Sequence, residues 1–106
     1  MTVTSPNASI TVEVAGAIAR VAFNRPETLN ALDEDLAYAL GQITGAISED
    51  NSIRCVVLSG AGDHFMAGGD VKNMHEYLHS HDESDIQSYF LHRIHDLHTI
   101  VFSMRR

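Results

Sequence analysis

The residues best placed to do chemistry lie in the run Gly60-Ala61-Gly62-Asp63-His64-Phe65-Met66-Ala67-Gly68-Gly69-Asp70, which holds four of the seven glycines of the chain. Glycine lets the backbone take positive φ and approach a ligand with no Cβ in the way. A helix that begins directly after such a turn, as Val71 to Tyr77 reads, points unpaired amide hydrogens at whatever sits before it. The chemistry on offer is stabilisation of a negative oxygen by backbone donors. On the glycines alone, a tight connection is the commoner reading. The run lacks the Gly-Lys-Ser/Thr ending of a phosphate-binding P-loop, and its spacing fails the dinucleotide pattern.

Other polar clusters carry less. There are seven histidines. His75 and His79 are four apart, and His92, His95 and His98 are spaced by threes, so on helices they are neighbours of the kind that could hold a metal. No cysteine or acidic ligand completes an evident tetrahedral set, so they are read as solvated helix positions and no metal is expected. Asp33-Glu34-Asp35 lacks the EF-hand pattern and is read as favourable charge at a helix start. The one cysteine, Cys55, has no partner for an intrachain disulfide. Inside Cys55-Val56-Val57-Leu58 it is read as a small buried hydrophobe.

Positioning these residues falls to a small chain. With 106 residues there is one domain at most, and folding at that size buries only about 60–65 % of the unfolded surface. Hydrophobic residues make up 44 % and charged residues 20 %, the composition of a globular protein. The formal charge of −7 repels polyphosphate chains, which argues against nucleic acid as a partner. No apolar run approaches the roughly 20 residues that span a bilayer, and the start of the chain has no basic region followed by an apolar one. The expected location is the cytoplasm, with no membrane partner.

The pattern along the chain predicts an α/β domain. Residues 1–9 are small and polar and are expected to fray, leaving 10–106 as the domain. Ile10, Val12 and Val14 alternate with polar residues, and Ile18 to Phe23 resumes the strand pattern, so a hairpin turning near Gly16 is expected. Asn24-Arg25-Pro26 ends the second strand, because proline has no amide hydrogen for the ladder. A loop follows to about Leu32. From Asp33 to about Glu49, Leu36, Leu40, Ile43 and Ile47 recur at helical spacing. After a turn at Asp50-Asn51-Ser52, Ile53 to Ser59 reads as a buried strand. His79 to Glu83 is a polar connector. Ser84-Asp85 looks like the cap of a last helix reaching the chain end, with Ile86, Phe90, Ile94, Leu97, Val101 and Met104 along one face. That stripe needs a partner surface and predicts an exposed apolar patch. Strand-strand-helix-strand-loop-helix-helix is the order of an α/β domain with most of its sheet still to come.

Taken together, four segments resemble the crotonase superfamily, the enoyl-CoA hydratases and isomerases, in content, order and spacing. They are Val21-Ala22-Phe23-Asn24-Arg25-Pro26, Leu29-Asn30-Ala31-Leu32, Val56-Val57-Leu58-Ser59-Gly60, and Phe65 to Met74. The resemblance runs from about Ile10 to Arg106 and implies the amino-terminal portion of a ββα-spiral fold, stopping before the second half of the sheet.

The resemblance also implies roles. Gly69 takes the place whose backbone amide is one of two oxyanion-hole donors to a thioester carbonyl, and Ala67 and Gly68 line the same turn. Asp70 and Val71 begin the helix flanking the acyl-CoA, with Asp70 shaping the turn. Ala31 matches the position whose backbone contacts coenzyme A, and Asn30 and Leu32 hold that loop. The implied partner is an acyl-CoA thioester, with coenzyme A as part of the substrate and no separate cofactor. Complete family members are usually trimers or dimers of trimers. The sequence departs from the family pattern in lacking the second glycine-rich segment and the downstream acidic residues that serve as acid and base. Two readings follow: one part of an enzyme that hydrates or isomerises an enoyl-CoA, or a non-catalytic acyl-CoA-binding or interaction fragment. Acyl chain length and the choice among hydration, isomerisation and hydrolysis depend on residues beyond these.

Overall fold

The computed structural model describes residues 3–68, 71–80, 85, 88, 91, 92, 95 and 98–102. Its sheet has three strands, β1 (Ile10–Ala15), β2 (Ile18–Phe23) and β3 (Cys55–Gly60), in the order β1-β2-β3. β1 and β2 are antiparallel and pair Ile10 with Phe23 and Ala15 with Ile18. The two residues left between them form the turn, where Gly16 takes φ +60°, the positive value that a two-residue hairpin needs at its first central position. The turn also receives the next strand, since the amides of Arg54 and Cys55 both donate to the Ala17 carbonyl, at 2.7 and 3.2 Å.

β2 and β3 run parallel, with Val21 opposite Leu58 and Phe23 opposite Gly60. Parallel neighbours require a crossover, and helix α1 (Glu34–Glu49) supplies it. Ala19, Val21 and Phe23 alternate onto one face of β2 and are buried there, with Ile10 beside them. α1 presents Leu36, Ala39, Leu40 and Ile43 to the same core, the spacing of a single helical face. Leu36 and Ile43 are fully buried, each contributing about 1.5–3 kcal/mol relative to exposure.

Several expectations need correction. Residues 3–9 make contacts with the domain that their small, polar character does not signal: Val3 is buried in the core, Asn7 donates from Nδ2 to the Asp35 carbonyl at 3.0 Å, and the Asn24 amide donates to the Ser9 carbonyl at 2.8 Å. The strand expected to be buried, β3, is largely exposed along Cys55, Val56 and Val57, and Cys55 is an exposed free thiol. The reason is its place at the sheet edge. Between the second half of α1 and β3 lies a cleft of about 700 Å³, lined by Leu40, Ile43, Ile47, Val56 and Leu58 among others. The helix therefore covers β2 but stands off β3.

Helix α2 (Val71–Ser80) contains the helical run expected from Val71 to Tyr77 and runs on through His79 and Ser80, which the sequence assigned to a connector. The Ser80 hydroxyl donates to the Glu76 carbonyl at 2.9 Å, and the His75 and His79 rings stack edge-on at 4.3 Å. Both contacts join residues one helical turn apart. The cap expected at Ser84 lies outside the described residues, while those described between 85 and 102 are helical. Of the apolar stripe, Ile86, Phe90, Ile94, Leu97 and Met104 lie outside the described residues and Val101 is exposed. Among the described residues of this segment, Ile100 is buried, beside Gly41, where an added Cβ would stand 3.7 Å from Ile100 Cγ1. At that distance the added Cβ would make ordinary van der Waals contact with Ile100. Among the described residues, no helix is long and apolar enough to cross a membrane.

Candidate functional site

Parallel strands β2 and β3 release their chains at the same end of the sheet, the end where α/β sheets place ligands. The loop after β2 is closed by its own residues. Pro26 starts a 3-10 turn, Pro26–Thr28, its fixed φ suiting that position. Leu29 and Asn30 follow with φ 57° each, a left-handed pair that costs about 1–2 kcal/mol per residue in the absence of compensation. The compensation is a set of hydrogen bonds. The amides of Thr28 and Asn30 both donate to the Arg25 carbonyl, at 3.0 and 2.8 Å, and the Ala31 amide donates to the Thr28 carbonyl at 3.1 Å.

Arg25 ties this loop to the helix behind it. One guanidinium nitrogen, Nη1, donates to the Ala31 carbonyl, and Nη2 lies 3.3 Å from Asp33 Oδ2. The other carboxylate oxygen, Asp33 Oδ1, accepts from the Leu36 amide at 2.9 Å. Asp33 is thus both the N-cap of α1 and the counter-ion of Arg25. The acidic helix start expected from the sequence is present, with Asp33 outside the helix as its cap.

The glycine-rich loop after β3 takes much of its shape from the first. The Ala61 amide extends the ladder to the Phe23 carbonyl at 2.7 Å. Gly62 and Gly68 have φ +79° and +100°, values that side chains oppose. Two backbone bonds then join the loops: the Ala67 amide donates to the Leu29 carbonyl at 3.0 Å, and the Leu32 amide donates to the Gly68 carbonyl at 2.6 Å. The Phe65 ring leans on Phe23 with centroids 5.4 Å apart.

At the junction sits Asn30, with 0 % exposure. Its Oδ1 accepts from the Arg25 amide at 2.8 Å. Its Nδ2 donates to the carbonyls of Ala61, at 3.0 Å, and His64, at 2.8 Å. Gly60 faces this amide so closely that an added Cβ would stand 2.7 Å from Asn30 Nδ2 and would overlap the carbonyl oxygens of His64 and Phe65.

The structure therefore brings Ala31, Ala67 and Gly68 of the sequence-predicted site onto two joined loops. Ala31 is buried, with its amide and carbonyl both engaged internally. Ala67 and Gly68 are exposed. The Ala67 amide is committed to the Leu29 carbonyl. Gly69 and Asp70 lie outside the described residues, and Val71 is the first residue of α2. Sequence reasoning did not find the ion pair of Arg25 with Asp33 or the two bonds from Asn30 to the second loop. The signal available was an asparagine between Leu29 and Ala31, a polar residue in an apolar run. Among the described residues, no group of three or more His, Cys, Asp or Glu side chains could hold a metal ion.

Comparison with known proteins adds a second line. Residues 18–106 match the family model described as Enoyl-CoA hydratase/isomerase. The short-chain-enoyl-CoA hydratase of Clostridium acetobutylicum is 38 % identical over 69 residues, which are 64 % of this chain and 26 % of that protein. The (E)-benzylidenesuccinyl-CoA hydratase of Thauera aromatica is 41 % identical over 64 residues, 59 % of this chain and 25 % of that one. In structure, an enoyl-CoA hydratase/isomerase from Mycobacterium paratuberculosis superposes with a TM-score of 0.75 at 32 % identity, covering 94 % of this chain and 38 % of the other. The chain spans about a quarter of the length of these two curated relatives, and its three-stranded sheet and helices match the amino-terminal part of such folds.

Proposed function

The chain belongs to the enoyl-CoA hydratase/isomerase family, and on that footing we propose that it holds the coenzyme A side of an acyl-CoA thioester and polarises the thioester carbonyl. Hydration or isomerisation of an enoyl thioester passes through an enolate-like state with charge on the carbonyl oxygen. A donor aimed at that oxygen binds the charged state more strongly than the substrate, which is what lowers the barrier. The donor assigned here is the backbone amide of Gly69, with Asp70 and Val71 leading into the positive end of α2. Ala67 and Gly68 shape the turn before it, and the Ala31 loop lies on the coenzyme A side. Proton transfer is assigned to no residue of this chain.

The observation that carries the reading is the seam between the two loops, at 2.6 and 3.0 Å, at the carboxyl ends of parallel β2 and β3. It sets the Ala31 loop and the Ala67-Gly68 turn side by side, so that one ligand can lie across both. Calorimetric titration with coenzyme A and with acetoacetyl-CoA, whose enolate carries charge on the thioester side, tests it. The enolate-forming thioester should bind more tightly than coenzyme A. Gly69→Pro should remove about tenfold or more of that preference, the worth of one charge-assisted hydrogen bond, and leave coenzyme A affinity near its original value. Equal affinities in the unsubstituted chain, or binding of neither compound, would overturn the proposal. Hydration of crotonyl-CoA by these 106 residues should stay at background.

A further inference from the structure

We infer that Asn30 is a positioning residue that sets the distance between the coenzyme A loop and the thioester loop. This rests on the acyl-CoA reading above and extends it. Three facts carry the inference. Asn30 is fully buried. It is bonded to its own loop through the Arg25 amide and to the other loop through the carbonyls of Ala61 and His64, 31 and 34 residues away in sequence. The glycine opposite it, Gly60, leaves no space for even one methyl group between the two loops.

The chemistry at this position is specific to a carboxamide. Two carbonyl oxygens face the side chain and require two donors, while one backbone amide requires an acceptor. An uncharged NH₂ and C=O on one short stem meet all three demands. Aspartate has the same shape but would turn an oxygen toward two oxygens. The backbone adds a second restriction, since φ is 57° here and asparagine tolerates that region better than most residues.

The functional consequence follows from where the loops lead. One passes Ala31, on the coenzyme A side, and the other runs through Gly68 to Gly69, on the thioester side. A ligand held at both ends is sensitive to the spacing of its two holders. Loosening only the two Nδ2 bonds to the other loop leaves the coenzyme A loop held by Oδ1 and misplaces the oxygen relative to its donor.

The test uses Asn30→Gly, which keeps the left-handed backbone accessible, and Asn30→Asp, which keeps the shape and inverts the two donors. Amide hydrogen exchange is read at Leu32 and Ala67, whose bonds cross between the loops, with the β2–β3 ladder amides reporting that the fold is retained. Both crossing amides should exchange at least about tenfold faster in Asn30→Gly, which loses two hydrogen bonds between the loops, and faster still in Asn30→Asp. In the unsubstituted chain the two should open with the same free energy, because one side chain holds both, and this reading survives any variant that fails to fold. Calorimetry of Asn30→Asp, which keeps an oxygen for the Arg25 amide, should show the acetoacetyl-CoA preference falling about tenfold while coenzyme A affinity stays within about threefold. Unchanged exchange in both variants, unequal opening in the unsubstituted chain, or parallel loss of both affinities would overturn the inference. If the unsubstituted chain shows no preference for the thioester, the acyl-CoA reading fails before any variant is made.

Discussion

Two neighbouring strands each hand over to a loop and then to a helix, and the two passages are built in opposite ways. The passage from β2 to α1 is closed by its own side chains: Arg25 reaches Ala31 and Asp33, and Asp33 caps the helix at the Leu36 amide. The passage from β3 to α2 has glycines at positive φ at positions 62 and 68 and borrows its fixation, through Asn30, Leu29 and Leu32, from the first. A glycine-rich loop has few side chains with which to fix itself. It needs a template, and the loop beside it serves as one.

Gly60 is where this dependence can be broken with the largest effect. Gly60→Ala places a methyl group against the His64 and Phe65 carbonyl oxygens and the Asn30 amide, and overpacking of this kind costs about 1–3 kcal/mol. Urea denaturation should show a midpoint shift of that order at unchanged slope. A shift near zero would mean that the second loop is free to move and takes no shape from the first.

The first passage is tested at Asp33. Asp33→Ala removes the cap on Leu36 and the partner of Arg25, and the lost cap costs about 0.5–2 kcal/mol. Asp33→Asn keeps a capping oxygen without the charge and should recover most of that loss. If both variants lose the same amount, the ion pair and not the cap holds the loop to the helix.

Asp50 lies at the far end of α1 and should give the smallest effect. Its carboxyl is held below its ordinary value of 3.8, first by the Ser52 hydroxyl and then by the Ser52 amide. A lowered folded value means that the contribution to stability is complete above the ordinary carboxylate range and is lost as pH falls through the lower folded value. Asp50→Ala should therefore melt slightly lower than the unsubstituted chain at neutral pH, with the two curves converging in acid. A gap that widens in acid would contradict the assigned sign.

The sequence alone determined the hairpin at Gly16, helix α1 with its acidic start, the third strand and the helical run from Val71 to Tyr77, because each is written in the spacing of residues that are near neighbours along the chain. It also located the glycine turn, since glycine's freedom is a property of the residue itself. Only the tertiary structure decided that β3 and Cys55 stand exposed, because burial depends on what packs over a strand and α1 stands off this one. It decided too that Ile100 is buried beside Gly41 of α1 while Val101 is exposed. The partners of Asn30, more than thirty residues away, were beyond any local pattern: a hydrogen bond between distant segments has no period in the sequence and exists only once the sheet has brought the ends of β2 and β3 together.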